Sequence, residues 1–262
     1  TRADLDLYAL ESIPAKLAAQ EFDVLLNPAG MTSPDACEEQ PDLAHRVNTA
    51  APQALARACH LKNARFIHFS TDYVFDGESQ TEWSEDDPTA PVNVYGQSKA
   101  DGERAVLSEC PDALVARVSW LFGPDKPSHP DQIIAKASQT DTLSAVADKT
   151  SAPTFTHDLC GWIEAIVTHH PAARGTLHLC NSGSASWHGW AQAALEIAAS
   201  LGVPVRTTQV TPAELSSLTF FKAARPPHTT MRVDKLNRIA GITPRHWRVA
   251  LVDYLTQKHA PA

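Results

Sequence analysis

No stretch of this 262-residue chain stays apolar for the ~20 residues that a membrane-crossing helix needs, so no membrane partner is expected. Basic residues are few and dispersed. The 22 Lys and Arg stand against 30 Asp and Glu, for a net charge of −8, and they form no stripe that would argue for a nucleic-acid partner. The 12 His contain neither an H-E-x-x-H nor a ligand-spaced cluster, and no metal site is expected. His169 and His170 instead close an apolar helix before Pro171, where cationic side chains suit the helix dipole. The five cysteines (Cys37, Cys59, Cys110, Cys160, Cys180) are odd in number, scattered, and without a C-x-x-C. That argues against a disulfide framework and fits reduced thiols in a cytoplasmic protein best. Also missing is the strand, G-x-x-G-x-x-G-type loop and helix that hold a dinucleotide pyrophosphate. Such a unit, ~30 residues or more, is expected ahead of Thr1. Without its strand, the sheet would present an apolar open edge.

What remains alternates between short apolar runs and helical patterns. Phe22–Asn27, Arg65–Ser70, Ala113–Ser119 and Thr176–Cys180 have the composition of buried strands. Helices are expected across Ser33–Asn63 (interrupted at Pro41 and Pro52), Val94–Glu109, Thr156–His169 and Trp187–Leu201. Shorter ones are expected near Val233–Ala240 and Trp247–Lys258. Alternation of this kind implies α/β architecture, a doubly wound parallel sheet covered on both faces. The texture changes after Gly123, where residues 124–130 carry three prolines. We therefore expect a dinucleotide-binding unit from 1–123 and 140–175, and a smaller α/β substrate-binding unit from 124–139 and 176–262.

Chemistry concentrates in two segments, Ser70-Thr71-Asp72-Tyr73-Val74-Phe75-Asp76-Gly77 and Tyr95-Gly96-Gln97-Ser98-Lys99. On a helix, Tyr95 and Lys99 share one face. A free phenol has a pKa of ~10 and exchanges protons poorly near neutrality. A neighbouring ammonium is expected to lower that value, and the phenol can then protonate a carbonyl oxygen receiving a hydride. Thr71 follows a strand and so lies at its carboxyl end, where open α/β sheets bind ligands. Tyr-x-x-x-Lys alone is a weak signal, equally compatible with a surface helix. The strand, the turn after it and the Pro88 and Pro91 approach give it context. Pro28-Ala29-Gly30-Met31-Thr32 is a turn whose small residues let a flat cofactor approach the backbone.

Taken together, these stretches resemble the dTDP-4-dehydrorhamnose reductase family of extended short-chain dehydrogenases/reductases. The resemblance runs nearly end to end, through Asp4-Leu5-Asp6-Leu7, Asn27 to Thr32 with Asp35 and Glu38, Ser70 to Gly77, Asn93 to Lys99, Arg117 to Trp120, Ala152-Pro153-Thr154 and Arg225-Pro226. It implies a Rossmann-like fold and reduction, with NADPH or NADH, of the 4-keto group of a dTDP-linked deoxysugar, dTDP-4-dehydrorhamnose to dTDP-rhamnose. It implies Tyr95 as proton donor, Lys99 as its tuning partner and ribose ligand, and Thr71 beside the substrate carbonyl. Gly30, Met31, Thr32 and Phe69 would line the cofactor, with Asp6 and Leu7 near adenine. Asp72, Trp120 and Arg225 would contact the substrate. Trp120 could instead be core at a strand end, Phe69 is core in either case, and Arg225 could equally belong to an ordinary surface loop. Pro28, Gly30 and Met31 depart from the family's usual turn and leave the cofactor preference open. A homodimer is the candidate assembly. The alternative is a non-catalytic NADP-binding subunit resembling the regulatory β subunit of methionine adenosyltransferase. A sugar-nucleotide dehydratase is disfavoured, because Tyr73 rather than Glu follows Asp72.

Overall fold

Parallel strands need covered crossovers between them, and the alternating pattern supplies these. In the computed structural model, which describes residues 4–259, four parallel strands form the large sheet. They are β1 (Val24–Asn27), β2 (Arg65–Thr71), β3 (Leu114–Val118) and β4 (Gly175–His178), adjacent in that order. Leu26 pairs with Ile67, Ile67 with Leu114, and Leu114 with Gly175. The helices used below are α1 (Pro34–Glu39), α2 (Ala51–Leu61), α3 (Val94–Glu109), α4 (His129–Ala137), α5 (Thr156–His169), α6 (Trp187–Ser200), α7 (Asp234–Ala240) and α8 (Trp247–His259). On one face of the sheet, Phe66 and Val115 meet Leu55 of α2 and Val106 of α3. On the other, Ile67, Leu114 and Ala116 meet Leu159, Ile163 and Ile166 of α5. Burial on both faces explains why the strands carry apolar runs rather than an alternating pattern. Among the described residues no helix is long and apolar enough to cross a membrane.

A second core gathers Phe122, Phe155, Trp190 and Tyr254 with α4, α6 and α8. Small strand pairs edge it: Leu143–Val146 with Val210–Ala213, Leu121–Phe122 with Thr154–Phe155, and Thr150–Ser151 with Ala185–Ser186. Two expected boundaries therefore move. Leu143–Val146, expected within the 140–175 part of the dinucleotide unit, pairs inside the second lobe. Thr176–His178, expected to open the 176–262 unit, is part of β4 in the large sheet, and α7 packs on that sheet through Leu236 and Ala240. A short apolar run carries no mark of which sheet edge it will join.

Local chemistry sets the helix that matters most. Asn93 caps α3, its side-chain oxygen accepting the Gly96 N–H at 2.7 Å. The helix leading into α2 takes a π turn at Arg46–Ala50. Pro52 has no N–H for the Asn48 carbonyl four residues earlier. That carbonyl instead faces α3, where a Cβ on Gly102 would lie 2.2 Å from it. In an open helix Gly→Ala is stabilising. Here Gly102→Ala forces two backbones apart, and we expect it to cost about 1–3 kcal/mol, read as a lower urea midpoint.

Candidate active site

β2 ends at Thr71, and the chain turns at once through Asp72–Val74, with Thr71 Oγ1 accepting the Tyr73 N–H at 3.2 Å. Thr71 thus stands at the carboxyl end of the sheet. Tyr95 and Lys99 lie one turn apart near the start of α3, facing the same end. All three line one cavity of about 1080 Å³, whose wall also carries Gly30, Thr32, Phe69, Asp72 and Trp120, with Leu159 and Ile163 of α5 opposite. The three residues expected to be catalytic are therefore together. Asp6, Leu7, Met31 and Arg225 are not on that wall.

Electrostatics correct one expectation. Burial pushes the Tyr95 phenol above its ordinary value, although Thr71 as a hydrogen-bond partner draws it down; the charges of Asp72 and Cys37 add to the rise. Desolvation of the phenolate dominates, and Lys99 is turned elsewhere. Its Nζ donates to the Phe69 carbonyl at 2.5 Å and lies 3.4 Å from His68 Nε2. Burial pushes Lys99 down to about 8, opposed by the charge of Glu103. His68 is driven well below its ordinary value by burial and then by Lys99, so it is neutral. Its Nδ1 sits 3.1 Å from the Asn27 amide.

Sequence reasoning missed His68, and it missed Asn48. The Asn48 side chain takes the Met31 N–H at 2.8 Å and donates to the Met31 carbonyl at 2.9 Å and to Ser98 Oγ at 3.0 Å. It thereby ties the turn after β1 to the helix of Tyr95 and Lys99. A Cβ on Gly30 would come within 3.0 Å of Asn48 Oδ1 and 3.9 Å of Lys99 Nζ. The turn is thus a flat, crowded cradle suited to a planar ring and its ribose. A signal for Asn48 did exist: it is the polar member of a stripe continued by Ala51, Leu55 and Cys59.

The expected substrate and adenine contacts divide. Trp120 faces the cavity with φ +40, a left-handed backbone that is strained for a bulky residue. Its ring stacks on Trp190 at 5.6 Å and 14°. Asp72, expected at the sugar, is saturated by protein hydroxyls. Its Oδ2 accepts from Ser119 (2.9 Å), Ser151 (2.6 Å) and Thr229 (2.6 Å), and its Oδ1 from Thr71 (3.1 Å). It cross-links both lobes. Arg225, expected at a diphosphate, is committed to Asp35 at 2.7 Å and lies over the Phe221 ring. Leu7 packs against the core of α2, and Asp6 accepts the Tyr8 N–H at 3.0 Å. Asp72→Ala strands four hydroxyls and leaves the buried Lys149 ammonium without the negative charge that favours it. We expect a loss of about 3–5 kcal/mol, read by chemical denaturation.

The family described as "RmlD substrate binding domain" matches residues 1–260. A dTDP-4-dehydrorhamnose reductase of Mycolicibacterium smegmatis is 38% identical over 234 residues, 88% of this chain and 69% of that protein. A probable dTDP-4,6-dihydroxy-2-methyloxan-3-one 4-ketoreductase of Streptomyces antibioticus is 35% identical over 98% of this chain and 86% of its own. The crystal structure of dTDP-4-dehydrorhamnose reductase from Bacillus anthracis in complex with NADP superposes with a TM-score of 0.90 at 26% identity, covering 98% of this chain and 88% of that one.

Proposed function

The chain belongs to the RmlD substrate binding domain family, and on that premise we propose that it is an NAD(P)H-dependent reductase of the 4-keto group of a dTDP-linked deoxysugar, dTDP-4-dehydrorhamnose to dTDP-rhamnose. The observation that carries this reading is the meeting of Thr71, Tyr95 and Lys99 on one cavity at the carboxyl end of a parallel sheet. A bound nicotinamide would supply the hydride. Gly30, Thr32, Phe69 and Lys99 would hold its ring and ribose, and Asn48 fixes the turn they rest on. Tyr95 gives its proton to the oxygen that gains charge. A phenol held above its ordinary value is fully protonated at neutral pH and ready to donate. The phenolate left behind in a buried site needs a positive charge, and Lys99 carries one below about pH 8. Trp120 offers the sugar an aromatic face, and the second lobe is the substrate-binding side. The same reading puts the protein in the cytoplasm with a homodimer as its assembly.

Mixing the protein with NADPH and dTDP-4-dehydrorhamnose is the direct test. The reading requires loss of NADPH absorbance that depends on the keto-sugar. NADPH that binds but is never consumed would contradict it.

A further inference from the structure

One fully buried cation has no part in that chemistry. Lys149 is among the largest completely enclosed side chains of the molecule. Its Nζ donates to the Pro226 carbonyl at 2.5 Å. It lies 4.8 Å from the Tyr73 ring centroid and 5.9 Å from that of Trp120. It does not itself line the cavity; both rings do. Next to it, Thr150 is stitched into the same region, its N–H donating to Pro227 O at 2.7 Å and its carbonyl accepting the Thr229 N–H at 2.9 Å. Lys149 therefore sits where the Tyr73 turn, Trp120, its own short strand and the segment Arg225–Thr229 converge.

Burying an ammonium whose direct partners are one carbonyl and two ring faces is costly, even with the charge of Asp72 nearby. An apolar side chain of similar length would fill the space more cheaply. What the charge adds is a preferred position for two aromatic faces at once. One of them, Trp120, needs such support, because its backbone is held at φ +40.

We propose that Lys149 is a positioning residue for the sugar end of the site: it locks the Tyr73 and Trp120 rings and the Arg225–Thr229 segment against one another, and so sets the wall on which the keto-sugar rests. The identity of that sugar rests on the reductase reading; the arrangement of rings does not. The groups facing Lys149 are few. They are Asp72 at the end of β2, itself bound to Ser119, Ser151 and Thr229, and Arg225, paired with Asp35; His228 lies beside them, hydrogen-bonded to Thr150 Oγ1. Burial pushes Lys149 down to about 8, opposed by Asp72 and reinforced by Arg225.

Lys149→Met keeps the length and removes the charge. It should raise the KM for dTDP-4-dehydrorhamnose about tenfold, the size of one desolvated cation–π contact, and leave the NADPH Kd near wild type. It should also weaken the circular-dichroism exciton couplet of the stacked indoles of Trp120 and Trp190. Lys149→Arg, which keeps a charge, should recover most of both. An unchanged substrate KM together with an unchanged couplet overturns the proposal. So does a parallel rise in both ligands' constants, which would mean general loosening. If Lys149→Met does not fold, the wild-type couplet decides: it should weaken as pH rises through about 8. A flat titration from neutral to pH ~10, where even a free ammonium begins to deprotonate, overturns the role. A wild type that never consumes the keto-sugar defeats the reductase reading alone, since the couplet is read without substrate.

Discussion

Tyr95→Phe is expected to lower kcat by ~10²–10⁴ while leaving NADPH affinity close to wild type. The substitution removes one hydroxyl and little else. The ring meets Tyr73 edge-on at 5.7 Å and 66°, and that contact survives in Phe. No neighbouring group takes over the proton. The Thr71 hydroxyl already donates to Asp72 Oδ1 at 3.1 Å, and Lys99 points at the Phe69 carbonyl. Single-turnover NADPH oxidation at saturating keto-sugar separates chemistry from binding. A variant that turns over at the wild-type rate would remove Tyr95 from its role.

Lys99→Met should be the second most damaging change, and its signature is in the pH profile. In the wild type the ammonium is held down at about 8 by burial. Above that pH the folded protein carries a neutral amine, the phenolate of Tyr95 loses its counter-charge, and kcat/KM should fall as pH rises through about 8. Lys99→Met should start at least ~10²-fold lower, bind NADPH more weakly and lack that limb. Lys99→Arg, charged throughout, should move the limb upward instead. Stability carries the opposite sign. Because the folded value lies below the 10.5 of a free lysine, the unfolded chain binds more protons between about 8 and 10.5, and this group's contribution to stability rises with pH across that window. Lys149, also held at about 8, adds to the rise, so Lys99→Met should diminish it without abolishing it. Profiles of kcat/KM and of urea midpoint against pH check both signs. An unaltered alkaline limb in Lys99→Met would contradict the assignment.

How much of this was legible beforehand depended on range along the chain. α3 and α5 run from Val94 to Glu109 and from Thr156 to His169, the bounds expected from the sequence. Thr71, Tyr95 and Lys99 were legible because one strand end and one helix face fix where they go. The surroundings of Asp72 were not. Its hydroxyl partners lie 47, 79 and 157 residues away, and Ser or Thr at those distances carries no local pattern. Arg225 and Asp35, 190 residues apart, are the same case, and their pairing turned an expected ligand contact into an interlobe clasp. The tuning of Tyr95 was misjudged for a different reason. Spacing places Lys99 on the right face, but the direction of a long flexible side chain, and the desolvation around a phenol, are set by packing that the sequence does not display.

The central claim is a hydride passing from nicotinamide to C4 of a dTDP-linked sugar while Tyr95 supplies the proton. NADPH deuterated at the transferring position of the nicotinamide tests it in a single measurement. The product is analysed for where the label lies. The account predicts deuterium on C4 of the sugar in stoichiometric amount, with the oxygen-bound proton drawn from solvent. Consumption of NADPH with deuterium absent from the sugar, or a keto-sugar left unreduced by a protein that binds both ligands, would contradict it.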